Sequence, residues 1–216
     1  MLQGMEAGYT TEVRPGLRDR KKQKTRDTII EVALELFVAR GYEETTIAEI
    51  ADAAEVSPRT IFAYFPSKED ILFCDTPEIQ ERLAQVLRDR PEGATALDTL
   101  RDFIAGSLST ASNEEHNVAL RRRIICAGNE PLRRSQRARL APFEQLMAET
   151  IAEDLHAGPD DIRPRMIAAA LATAFSAIHD NDPDTSPELV SPQQVMAVID
   201  DVIGFLRAGL EALGHD

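Results

Sequence analysis

Apolar residues recur at helical spacing along most of the chain. Ile30, Ala33, Leu34, Phe37 and Val38 follow an i, i+3, i+4, i+7, i+8 order, the stripe of an amphipathic helix. It predicts a helix over residues 19–39, stopped by Gly41. Thr46 and Glu49 have the S/T-x-x-E spacing of a capping box, and Ile47, Ile50 and Ala51 form the apolar face of the short helix it opens. Ala53-Ala54-Glu55-Val56 reads as a turn small enough for two helices to cross closely. Ser57 then caps a second short helix, with Pro58 at its first position, where the missing N–H costs nothing. In that helix Ile61, Phe62 and Phe65 are expected to face inward, and Arg59, Thr60, Ala63 and Tyr64 outward. Ser67 caps a further helix, with Glu69 and Asp70 in its first turn, where the helix dipole favours acids.

The pattern breaks at Asp75-Thr76-Pro77, which predicts an interrupted or kinked helix, and resumes over 78–88 until Pro91-Glu92-Gly93. Leu97, Leu100, Phe103, Ile104 and Leu108 mark a helix over 95–110. Asn113 is expected to cap the next, through Val118, Leu120, Ile124 and Ile125. Asn129-Glu130-Pro131 opens a long helix to about residue 156, kinked at Pro142. Two more helices are expected over 164–179, rich in Ala, and 191–213, with more apolar surface than one partner needs. Residues 181–192, with three Pro and two Asp, read as a loop. The expectation is an all-α chain of about nine helices.

Composition narrows the class. The 216 residues include 43% hydrophobic ones, enough for an ample core, with no apolar run near membrane-spanning length. Residues 1–10 lack the charged and apolar regions of a secretory signal, so a cytoplasmic location is expected. Cys74 and Cys126 are too few for a disulfide framework and are expected as reduced, buried thiols, a redox switch between them being the alternative. The net charge of −13 at first argues against nucleic acid, but its distribution does not. Residues 14–26 hold seven basic side chains and one acid, while from residue 71 onward 14 Lys or Arg face 24 Asp or Glu. Such a molecule would touch DNA with its basic end and hold its acidic body away.

The helix–turn–helix at 45–68 and this basic run point the same way. A solvated face would carry Glu and Lys, whereas the outward residues here suit base edges and phosphates. The sequence Gly41-Tyr42, Thr45-Thr46-Ile47-Ala48-Glu49-Ile50-Ala51, Val56-Ser57, Thr60 and Tyr64-Phe65-Pro66-Ser67-Lys68-Glu69 closely resembles the DNA-binding head of the tetracycline-repressor (TetR) family, without gaps from about residue 26 to 72. The resemblance implies a three-helix DNA-binding domain (19–66) and a larger helical ligand-binding and dimerisation domain (67–216), preceded by a basic arm (1–18) that, lacking periodicity, is expected to be disordered. It implies a homodimer on a palindromic double-stranded operator, released by a small-molecule effector. Arg20, Lys22, Lys24, Thr45, Thr46, Ser57, Pro58, Arg59, Thr60, Tyr64 and Lys68 are the candidate DNA contacts. The family's usual Gly-Thr-Leu-Tyr appears here as Arg59-Thr60-Ile61-Phe62, so a phosphate-contacting hydroxyl is missing at Phe62, and Tyr64 is placed to take over.

The last two helices are expected to pair with their symmetry mates as a four-helix interface, as in the family, through Ala170, Ala174, Ala177, Val195, Val198, Val202, Phe205 and Leu206. A broad core stripe is the alternative. Phe103, Leu108, Phe143, Met147 and Phe175 are candidate effector-lining residues. Arg122, within an arginine-rich stretch from 121 to 139, is a candidate anion contact; surface ion pairing is the alternative. Through Phe65-Pro66-Ser67-Lys68-Glu69-Asp70 and the arginine-rich helix before Pro131, the second half also resembles TetR-like regulators whose sensor domain is described as acyl-CoA-like ligand-binding, which suggests an acyl-CoA-like effector. None of the four His lies in a metal-ligand spacing, and no nucleotide-binding or nucleophile motif is present. Neither an enzyme, a metal nor a cofactor is therefore expected. A constitutive DNA-binding protein, or a small-molecule binder with an incidental helix–turn–helix, are the rival readings.

Overall fold

The first helix, α1 (Leu17–Arg40), begins two residues earlier than its apolar stripe predicts. The basic residues from Arg18 to Lys24 therefore lie on exposed helical turns, Arg26 being half-buried, and Gly16 is the N-cap. The computed structural model describes residues 16–127, 129–179 and 191–213; the expected arm before residue 16 and most of the expected loop at 181–192 lie outside them. At the end of α1, Gly41 has φ 96°, and its N–H donates to the Phe37 carbonyl at 3.0 Å. A side chain in that conformation would be strained, which is why glycine ends this helix.

Helices α2 (Ile47–Ala53) and α3 (Pro58–Tyr64) follow, then the five-residue α4 (Lys68–Leu72). The break expected near Asp75 is present: α5 (Thr76–Arg88) starts anew, with Pro77 in its first turn. Next come α6 (Ala96–Thr110), α7 (Asn113–Cys126), α8 (Glu130–Ala138), α9 (Ala141–Asp154), α10 (Arg163–His179) and α11 (Pro192–Leu213). Ser112, one residue before the expected Asn113, caps α7, and it forms a capping box with Glu115. Pro142 opens α9 instead of kinking one long helix, and the break before it is braced by Gln80, whose side-chain amide donates to the Arg139 carbonyl at 2.8 Å. These two breaks raise the number of helices to eleven among the described residues.

Two apolar cores result. The first gathers α1 to α4 around Ile29, Leu34, Ile50, Ile61, Ile71 and Leu72, and it also takes Ile125 and Cys126 from α7 and Leu132 from α8. It continues through Phe73, past the expected domain boundary at 66/67. The second gathers α5, α6, α9, α10 and α11 around Leu83, Leu100, Met147, Leu171 and Ile203. Helix α7 packs mainly on α1, so it belongs by packing to the first core while standing in sequence between α6 and α8. No described helix is long and apolar enough to cross a membrane.

Candidate nucleic-acid interface

The capping box at the start of α2 forms as its spacing predicts. Thr46 Oγ1 accepts from the Glu49 amide at 3.2 Å, and Glu49 Oε2 accepts from the Thr46 amide at 2.8 Å. Those bonds, the backbone one foremost, hold the exposed Glu49 carboxyl below the usual carboxylate range. Helix α2 closes with Glu55 at φ 54°, its amide donating to Asp52 O (3.1 Å), and the Val56 amide donating to Ala51 O (2.9 Å). This is a Schellman cap with Glu where glycine is usual, and it swings the chain into α3. Ser57 Oγ then accepts from the Thr60 amide at 3.1 Å and shares a 2.7 Å hydrogen bond with the Thr60 hydroxyl.

Helix α3 buries Ile61, with Phe65 behind it, and exposes Pro58, Arg59 and Ala63. Across from it stands Lys22 of α1. Together Lys22, Ser57, Arg59, Thr60, Ala63 and Tyr64 line an open depression of about 390 Å³. One basic side chain from α1 thus shares a concave face with the outward side of a short, well-capped helix. Arg20, Lys24 and Thr46 are exposed nearby in sequence but do not line it. Tyr64 is half-buried, packed against the first core.

Three expectations are corrected here. Phe62 does not face inward: it is 54% exposed, because Ile61 and Phe65, four residues apart, already fill the core-facing side of a helix of two turns. Thr45 is 1% exposed, its hydroxyl donating to Gly41 O at 2.8 Å, so its side chain is a structural peg and cannot reach DNA. Lys68 is neither a free phosphate contact nor a plain surface lysine. Its ammonium donates to Tyr42 O (2.6 Å) and Thr45 O (3.0 Å) and lies 4.1 Å from the centre of the Tyr42 ring, which leaves one N–H for a phosphate.

The body places the other candidates in two groups. Phe143 and Met147 are buried in the second core with Phe103 and Phe175 packed against them; the Phe143 and Phe175 rings meet edge to face at 5.1 Å. Leu108 is half-buried on α6 and lies outside that cluster. Arg82, which the sequence did not single out, lies 5.7 Å over the Phe103 ring. Arg122 is elsewhere. Its Nε donates to Leu72 O (2.6 Å) and its Nη1 to Asp75 (2.9 Å), so it fastens the α4–α5 joint. The other arginines of 121–139 pair largely within the chain: Arg121 with Glu35, Arg133 and Arg134 with Glu130, and Arg139 with Asp70.

On α10 Ala170 and Ala177 are exposed and Ala174 half-buried; on α11 Val198 and Phe205 are exposed, and Val195 and Val202 half-buried. Leu206, expected at an interface, is buried in its own chain's core, because Ile199, Ile203 and Leu206 share the stripe that faces inward. Helix α11 thus carries a second apolar stripe, ending in a Phe205 that is 77% exposed.

Comparison with known proteins agrees with this geometry. Residues 29–73 match the family described as "Bacterial regulatory proteins, tetR family". The chain is 38% identical over 167 residues to the HTH-type transcriptional regulator TcmR of Streptomyces glaucescens, covering 72% of this chain and 71% of that one. Among solved structures it is similar to NalD, the secondary repressor of the MexAB-OprM multidrug efflux pump in Pseudomonas aeruginosa (TM-score 0.61, 22% identity, 85% of this chain and 96% of that one). It is also similar to FadR from Bacillus subtilis in complex with stearoyl-CoA (TM-score 0.52, 21% identity, 83% and 96%). The capped helix–turn–helix and the relationship to TcmR lead to one conclusion: the chain belongs to the TetR family and is a transcriptional regulator.

Proposed function

We propose that the chain acts as a homodimeric repressor of a near-palindromic operator, released when a small apolar or acyl-bearing molecule enters its body. The observation that carries the DNA half is the depression shared by Lys22 and the outward side of α3. Arg59 reaches base edges at its centre, while Ser57, Thr60, Tyr64, Thr46 and the basic turns of α1 fix position on the phosphates. The two recognition helices of a dimer would enter major grooves about 34 Å apart or more. The exposed stripe on α11 and the small exposed residues of α10 supply the dimer contact. An isologous interface needs such a face on one surface of the monomer.

The effector would lodge among Phe103, Phe143, Met147 and Phe175, next to Arg82. The likeness to a FadR crystallised with stearoyl-CoA favours an acyl thioester. With most arginines of 121–139 committed to partners, Arg82 is the better candidate for its anionic end. Binding shifts the dimer toward a head spacing that no longer fits the grooves, which requires the effector to discriminate between the two states.

The test is a mobility shift on operator selected from random duplexes, at physiological salt, with and without acyl-CoAs and lipophilic drugs. Arg59→Ala should lose discrimination between selected and random DNA. Lys22→Ala should weaken both and flatten the salt dependence by about one unit of slope. Equal loss on both DNAs for Arg59→Ala would refute base reading, and failure to select any sequence would refute the repressor itself.

A further inference from the structure

Phe62 stands out on a face that is otherwise polar or small. It is 54% exposed on α3, one turn after the exposed Arg59 and beside the exposed Ala63. Among the described residues no aromatic ring or guanidinium is stacked on it, in contrast to Phe65, which has Tyr64 beside it and Arg26 over it at 5.7 Å. The core has no use for the ring, since Ile61 and Phe65 already close that side of the helix. The ring lies on the flank of the exposed side of α3, next to Arg59 but outside the residues that line the depression, and a large apolar side chain held in water there gains only if DNA offers an apolar group to meet it. It has no hydroxyl, so it cannot take a phosphate by hydrogen bonding. In the major groove the one apolar feature on a base edge is the C5-methyl of thymine.

We infer that Phe62 is a specificity-determining residue that reads thymine, its ring seated against the 5-methyl group. This rests on the DNA-binding reading above and sharpens it. Residues three apart on a helix have Cβ atoms about 5–6 Å apart, and successive bases on a strand are about 3.4 Å apart. The thymine read by Phe62 therefore lies within about two base pairs of the position read by Arg59. Each half-site pairs a polar contact from Arg59 with an apolar one from Phe62.

The experiment replaces thymines of the selected operator, one position at a time and symmetrically in both half-sites, by deoxyuridine, which removes only the methyl group. Binding of the unmodified protein is then compared with that of Phe62→Ala. The expected result is one thymine per half-site, within two base pairs of the Arg59-dependent position, whose replacement weakens binding roughly fourfold per half-site. Phe62→Ala should bind the thymine operator more weakly and be indifferent to deoxyuridine there. Because the ring lies outside the core, the variant should melt with the parent protein. The uracil measurement on the unmodified protein does not depend on the variant in any case. Specific binding that no uracil substitution weakens would overturn the inference while leaving the regulator intact. So would a uracil effect that survives Phe62→Ala, or a Phe62→Ala loss equal on selected and random DNA. If no sequence is selected at all, the repressor reading falls and this inference with it.

Discussion

Around the first core, helix ends are fastened by charged side chains that reach across from other elements. Arg26 of α1 donates to Cys74 O at 2.9 Å, Arg122 of α7 to Leu72 O and Asp75, and Arg139 to Asp70, while Ser135 of α8 donates to Glu69 at 2.6 Å. Every one of these bonds ends on α4 or the joint that follows it. Around the second core the long-range ion pairs lie mostly at the surface, as with Arg101–Asp200 and Arg207–Asp98. Among the described residues a clasp of the inner kind also occurs there, where Asp154 receives Arg90 and the Ala96 amide. Directed, half-buried bonds fix one arrangement of the head on α7 and α8. The second core is held mainly by apolar packing, and α11 keeps Val198 and Phe205 uncovered. The seam between the two cores is α4 with the α4–α5 joint, where these directed bonds converge.

The largest effect is expected where the body is least covered. Phe205→Asp should leave the monomer folded, since the ring is 77% exposed, yet abolish pairing. A two-fold interface uses each residue twice, so a central aromatic costs about 4 kcal/mol in total. Sedimentation should show monomers at micromolar concentration, with operator binding lost. A dimer that survives would mean that another surface pairs the chains.

Arg122→Met attacks the seam itself. It leaves Leu72 O and the Asp75 carboxylate without their guanidinium, a loss of about 1–3 kcal/mol in thermal or denaturant unfolding. It should also change the ratio of operator affinities with and without effector by about 0.5–2 kcal/mol, with effector binding itself retained. The same seam is sensitive to acid. Burial works against ionisation of Asp70, but the Ser67 hydroxyl and Arg139 outweigh it and hold its carboxyl below the usual range. A carboxyl depressed in the folded state contributes stability above its unfolded range and loses it as pH falls through the folded value. The stability gap between the parent protein and Asp70→Asn should therefore be full at neutral pH and close in acid. By contrast, Arg101→Ala removes an exposed, solvent-screened pair of the body and should leave unfolding nearly unchanged. A loss as large as that of Arg122→Met would erase the contrast between the two regions.

The parts of the fold legible in the sequence are those decided within a few residues. The caps at Thr46, Ser57 and Ser67 and the glycine stop at 41 needed only local spacing. So did the outward placement of Arg59. What stayed hidden depends on partners far along the chain. Lys68 is taken up by carbonyls 23 and 26 residues away, and Arg122 by groups 47 and 50 away. No periodicity encodes those distances, so both residues resembled site residues. Phe62 was misplaced for a different reason. On a helix of seven residues a period of 3.6 leaves the position after Ile61 at the border between faces, and an apolar residue at a border is assigned to the core by default. The missing hydroxyl at this position was the available signal that its role had changed.

The smallest effect tests whether the two regions differ at the level of single caps. Each core has a helix closed by a Schellman motif with a side chain in the left-handed conformation: Glu55 at φ 54° after α2, and His156 at φ 48° after α9. In the second, the His156 amide donates to Glu153 O (3.1 Å) and the Ala157 amide to Ala152 O (2.9 Å), the same pair of bonds as in the first. Left-handed backbone costs a side-chain-bearing residue about 1 kcal/mol, which glycine does not incur, though glycine gives back part of that through its more mobile unfolded chain. Glu55→Gly and His156→Gly should therefore each raise stability by about 0.5 kcal/mol, read as a small upward shift in Tm. Both side chains are free of the core, so a purely local cost predicts equal gains. A gain at 156 with none at 55 would show that the helix–turn–helix turn is held by more than its backbone.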